Sequence, residues 1–146
     1  MLGPRLQEPL LWHINRRSCS GAVALGVFCA FMPVPFQMPL AAIFAILLRV
    51  NLLIAVPMVW ISNPVTIPPI FYFCYLVGAE ILETPPGHFN FELSLAWLQN
   101  GLHAIWQPFL LGCLVVGLVT SLSSFILVRI LWRLHIISHI RDRSLR

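Results

Sequence analysis

From Ser18 to Ala79 the chain runs 62 residues with one charged side chain, Arg49. Water-soluble surfaces need more charge than that, so the pattern predicts lipid as the solvent of this block. Prolines 33, 35, 39, 57, 64, 68 and 69 cut the block into short pieces. Residues 18–32 read as a helix rich in small residues, with Ala22, Gly26 and Ala30 in one row that lets a second helix come close. At about 1.5 Å per residue it is too short for a hydrocarbon core of about 30 Å. Residues 39–49 read as a second short helix, with Pro39 in its first turn. Residues 52–61 form a run broken by Pro57, and residues 65–82 form one more helix that ends near Gly78. After a loop over 83–88, Phe91, Leu95, Leu98, Leu102 and Ile105 recur at helical spacing opposite Glu92, Gln99, Asn100 and His103. That predicts an interfacial amphipathic helix over 91–106. The clearest crossing helix is 108–134, opened by Pro108 and framed by Trp106 and Trp132. Along it Cys113, Gly117, Thr120 and Ser124 form a small and hydroxylated stripe suited to helix packing.

Two foldings fit the Pro-rich breaks. Either they are turns in water, or they are tips of re-entrant half-helices within the membrane. The first break offers only Gln37 as a polar side chain and the second only Ser62, Asn63 and Thr66, which favours the re-entrant arrangement. The breaks also resemble each other at an offset of 31 residues, Pro33-Val34 before Pro39 and Pro64-Val65 before Pro68-Pro69. Paired interrupted segments of this kind point to a transporter site.

Composition sharpens the class. The chain has 146 residues, 59% apolar and 10% charged, where ordinary domains are about a quarter charged. The expected fold is an all-α integral membrane protein with broken, re-entrant helices, one long transmembrane helix and an interfacial amphipathic helix. Its expected divisions are a cytoplasmic interfacial segment (1–17), a Pro-interrupted embedded region (18–82), an extracytoplasmic loop and amphipathic helix (83–107), a transmembrane helix (108–134) and a basic tail (135–146). Eight of the nine arginines lie outside the embedded block, while Glu80, Glu83 and Glu92 cluster between the membrane segments. The positive-inside bias then puts both termini in the cytoplasm and makes the protein multi-pass. Anionic headgroups are the expected partners of the arginine ends, and nucleic acid is not. Arg16-Arg17 is similar to a twin-arginine signal but lacks its apolar sequel, and a cytoplasmic anchor pair explains it better.

The segment Gly21–Gly78 carries a recognisable set of residues. A Gly/Ala helix ends in Pro33, and Gln37 precedes an alanine-rich helix. Arg49-Val50-Asn51 follows, then Trp60-Ile61-Ser62-Asn63-Pro64-x-Thr66-x-Pro68-Pro69 and Gly78. In these features it resembles the bacterial membrane family known as domain of unknown function 2062. The resemblance implies a small inner-membrane protein, in a family sometimes fused to sugar- or envelope-related enzymes, and implies no particular activity. Members often have Gly before the Gln. Phe36 stands there in this chain, so the tip is expected to turn differently.

The candidate substrate-binding residues are Arg49, Gln37, Asn51, Asn63 and Thr66. Arg49 at mid-membrane would cost about 2.5–3.5 kcal/mol and would imply an anion or a carbonyl cluster, whereas at a helix end it is a snorkelling anchor. Gln37 binds a polar group or satisfies backbone freed by the prolines, and Asn63 and Thr66 divide the same way between ligand contact and turn. Helix N-termini meeting at the tips could hold an anion such as phosphate. The four cysteines, all in apolar surroundings, read as packing thiols. His135 and His139 share a helix face but lack a third ligand, so no metal or cofactor is expected. No nucleophile–base pair is present, so an enzyme is not expected. Two functions remain open. One is a transporter or flippase component for an anionic or lipid-linked envelope substrate, acting as a homo-oligomer. The other is a non-transporting scaffold that recruits an envelope or polysaccharide biosynthesis enzyme.

Overall fold

A computed structural model describes the backbone of residues 9–12, 14–84 and 102–144, and side chains over 11–12, 14–84 and 106–135. Every regular element among the described residues is helical. A short turn, α1 (Pro9–Trp12), precedes α2 (Arg16–Phe31), α3 (Gln37–Leu48) and α4 (Leu52–Met58). A 3-10 turn (Val59–Ile61), α5 (Ile67–Ile81) and α6 (Leu102–Ser144) complete the order.

Local chemistry explains most of these boundaries. Asn15 caps α2 by accepting from the Ser18 N–H at 2.8 Å, and Pro33 and Pro35 forbid its continuation past Met32. Asn51 caps α4 in the same way, through the Ile54 N–H at 3.1 Å. Pro57 removes one bond from the last turn of α4, which tightens into the 3-10 turn. Pro68 and Pro69 sit in the first turn of α5, where missing donors cost nothing.

Contacts between helices fix the topology. Val50 lies against Gly21, and Ala55 and Met58 lie against Gly26, so α2 and α4 run parallel. Between them α3 runs back, placing Ala45 with Ala22 and Ala55, and Ala41 with Cys29 and Val59. The long α6 is antiparallel to α2, because the Ser121 hydroxyl donates to the Ala24 carbonyl at 2.8 Å while Gly117 faces Phe28 and Phe31. Its earlier turns are antiparallel to α5, where Gly78 meets Pro108 and Gly112. That seam requires glycine on both sides. A Cβ on Gly78 would fall 1.7 Å from the Pro108 carbonyl oxygen, and one on Gly112 would fall 1.7 Å from that of Cys74. Here the backbones touch, as in small-residue crossings of membrane helices. Phe71 and Phe109 close the seam edge to face, with ring centroids 5.3 Å apart.

Thus α2 and α5 tile α6 end to end. Phe31 and Ile67 both pack on the cluster of Phe71, Phe109 and Val116, so the two helix ends meet near Val116–Gly117. One stretch of α6, the 30 residues Trp106–His135, is long and apolar enough to cross a membrane, and most of it is left uncovered by the chain.

The last helix differs from the sequence reading at both ends. The last helix starts at Leu102 rather than Pro108, because Pro108 loses only one bond and its carbonyl is covered by Gly78. Its other end runs on to Ser144, past the residue 134 expected for the crossing helix. Residues 85–101, which hold most of the amphipathic segment expected over 91–106, lie outside the described residues.

Candidate functional site

The two Pro-rich breaks meet. The Gln37 side chain donates from Nε2 to the Met32 carbonyl, tying the end of α2 to the start of α3. Its Oε1 accepts from the Ser62 hydroxyl at 3.0 Å, which ties the first elbow (32–36) to the second (62–66). The same hydroxyl lies 3.0 Å from the Val59 carbonyl, so its single proton chooses between two acceptors. One amide therefore joins segments 25 residues apart in sequence.

The elbows are built differently. In the second, Asn63 Oδ1 accepts from the N–H groups of Val65 (2.9 Å) and Thr66 (3.0 Å). Thr66 Oγ1 accepts from the Asn63 N–H at 2.9 Å and donates to the Ile61 carbonyl at 2.6 Å. These side chains close a turn, and their polar atoms are engaged with backbone. The first elbow turns on Phe36, whose φ of 65° and ψ of 37° lie in the left-handed region. Phe36 therefore takes the conformation that a glycine would favour, rather than turning the tip another way. The N–H groups of Phe36, Gln37 and Met38 bond to no group among the described residues, and Phe36 provides no side-chain cap. The start of α3 thus presents three open donors beside Gln37, where a helix has its partial positive charge. The α5 start presents none, because Asn63 and Thr66 have taken its place as acceptors.

Arg49 and Asn51 are elsewhere. They lie at the far end of α3, about 18 Å from Gln37 at 1.5 Å per residue. Arg49 is exposed and ends α3 in the left-handed region, with φ 55° and ψ 44°. Its N–H and that of Val50 both reach the Ala45 carbonyl, which closes the helix end. Asn51 is fully buried, with its side chain serving as the α4 cap. The five sequence candidates therefore fall into two groups, the elbows and the arginine end.

The packing candidates also separate. Gly26 meets α4, Ala30 is buried, and Gly117 meets α2. Cys113 is buried against Cys74 across the α5–α6 seam. The Thr120 and Ser124 hydroxyls return to their own helix, to the Val116 carbonyl at 2.6 Å and the Ser121 carbonyl at 2.8 Å. The polar contact between helices comes from Ser121 instead. All four cysteines are buried and reduced. No group of three metal-ligating side chains occurs among the described residues, and the side chain of His139 lies outside them.

A model of the bacterial family described as "uncharacterized protein conserved in bacteria", domain of unknown function 2062, matches residues 1–141. The chain belongs to that family. No curated protein and no solved structure matches it.

Proposed function

We propose that this family member is a multi-pass protein of the bacterial inner membrane and a component of a transporter or flippase for an anionic or lipid-linked envelope substrate. The observation that carries the proposal is the junction of the two elbows at Gln37, beside three open N–H donors and level with Gly117 of α6. Gly117 lies 11 residues from Trp106, about 17 Å along the apolar stretch. With Trp106 at one interface, that height is close to the middle of a core about 30 Å thick. Open donors at that depth need water, a ligand or another chain, because lipid tails accept no hydrogen bonds. On this reading α2 and α3 form a re-entrant hairpin, α4 and α5 form a broken crossing, and α6 returns. Both termini then lie in the cytoplasm, and an anionic group enters at the elbow donors. So short a chain encloses a path only as a homo-oligomer or with a partner.

The test is complementation of a strain lacking the gene. Gln37→Ala is expected to abolish the envelope function while the protein stays inserted and abundant. Full activity of that variant would sink the transport reading. A scaffold for an envelope or polysaccharide biosynthesis enzyme draws support from a different feature, the exposed apolar face of α6 at Leu114, Leu118, Leu122 and Ile126. The Cys113–Gly117 stripe is already covered by α5 and α2, so a recruited enzyme would meet that outer face. Loss of a co-purifying enzyme on Leu118→Ala and Leu122→Ala, with Gln37→Ala silent, would select the scaffold.

A further inference from the structure

Arginines that are scattered in sequence gather at one end of the helix stack. Arg16 and Arg17 open α2, Arg49 ends α3, and Arg129 and Arg133 lie on α6; all five are exposed. Two contacts set their heights. A Cβ on Gly21 would lie 2.7 Å from Val50 Cγ1, so Arg49 sits beside Gly21, one turn from Arg17. Ser121 bonds to the Ala24 carbonyl, and the two helices run antiparallel from there. Arg17 is seven residues before Ala24 and Arg129 is eight after Ser121, so they share a level within about 2 Å. Arg133 is one turn beyond. The guanidinium of Arg129 stacks over the Phe125 ring, 5.2 Å from its centroid, which steadies it. The only carboxylates among the described side chains, Glu80 and Glu83, lie at the end of α5, on the opposite side of the elbow level.

Arg49 is also an unusual choice for its position. A helix end closed in the left-handed region is the place for glycine, or for asparagine as second choice. The chain carries a cation there instead, the one charge in the 62 residues from Ser18 to Ala79. The fold delivers it to the level of the terminal arginines.

We propose that Arg16, Arg17, Arg49, Arg129 and Arg133 form a collar that binds the phosphate of an anionic phospholipid headgroup. Guanidinium forks match phosphate oxygens two at a time, and here they converge from three helices on one headgroup layer. The inference rests on the membrane reading above but not on transport, so lipid binding can succeed or fail independently of any complementation result.

The experiment is a binding titration of the purified full-length protein in zwitterionic detergent with fluorescent phosphatidylglycerol, competed by unlabelled phosphatidylglycerol, phosphatidylcholine or inorganic phosphate. The decisive variant is Arg49→Gly, which removes the charge and relieves the backbone at once. It is expected to bind phosphatidylglycerol about fivefold more weakly, the worth of one cation near an anionic surface. Arg49→Lys should keep most of the affinity, and Glu83→Gln should leave it unchanged. Unlabelled phosphatidylglycerol should compete well, and phosphatidylcholine and millimolar phosphate poorly. The proposal is overturned if Arg49→Gly binds phosphatidylglycerol as the wild type does, if phosphatidylcholine competes equally, or if inorganic phosphate alone displaces the lipid.

Discussion

In the second elbow every N–H from Ser62 to Ile70 has an acceptor within the chain, whereas in the first those of Phe36, Gln37 and Met38 have none among the described residues. Both elbows use proline to discard donors, at 33, 35 and 39 in one and at 64, 68 and 69 in the other. Asn63 and Thr66 supply the missing acceptors only in the second. The first has a left-handed Phe36 that is 81% exposed and a glutamine whose amide is spent on Met32 and Ser62. A closed turn is a structural joint; the other turn is where the proposed function places its ligand. The same contrast separates the elbow candidates, since Asn63 and Thr66 serve the fold while Gln37 borders the N–H groups left open among the described residues.

The largest effect is expected where the second elbow is anchored. Gly78→Leu would drive a side chain into the Pro108 carbonyl, forcing α5 off α6 at a cost of at least about 3 kcal/mol. Membrane-inserted yield and thermal unfolding in detergent should both collapse. Asn63→Leu orphans the Val65 N–H and leaves that of Thr66 only the Asn63 carbonyl, so it should destabilise by about 1–3 kcal/mol in the same unfolding assay, a larger loss than any single change at the first elbow. If Asn63→Leu unfolds like the wild type, the second elbow is not the closed joint described. Phe36→Gly should go the other way, raising stability by about 0.5–1 kcal/mol as the left-handed strain is released. A drop instead would mean that the ring makes contacts outside the chain. The tie itself is the smallest term. A double-mutant cycle on Gln37→Leu and Ser62→Ala should give a coupling near 0.6 kcal/mol, typical of hydrogen bonds between membrane helices.

Much of this was legible in the sequence. The segments 18–32, 39–49, 52–61 and 65–82 correspond to α2, α3, α4 with its 3-10 turn, and α5, because proline and asparagine mark helix ends by local rules. The likeness of the two Pro-Val breaks was visible too, but not their difference. Whether a turn closes depends on Asn63 and Thr66 sitting three residues apart, and no similar pair follows Pro33. Pairings across the fold were not legible. Gly78 and Gly112 are 34 residues apart, and only the packed helices show that their backbones touch. Ser121 was passed over for Thr120 and Ser124 because all three hydroxyls lie within about one helical turn, and periodicity could not say which leaves its own helix. Arg49 stood alone in sequence and invited a mid-membrane role. Its place beside Gly21 became visible only once α3 was seen to run back along α2.

The central claim is that both elbows lie at mid-depth in the bilayer, and thiol labelling in sealed vesicles tests it most directly. On a background with all four native cysteines replaced, single cysteines would stand at Ile14, Val34, Val65 and Glu83. A membrane-impermeant maleimide should label Ile14→Cys from one side only and Glu83→Cys from the other. Val65→Cys should stay unlabelled from both sides, although the chain itself leaves Val65 82% exposed, and Val34→Cys should react slowly. Rapid labelling of Val34→Cys and Val65→Cys at the rate of Ile14→Cys would place the elbows in water and contradict the account.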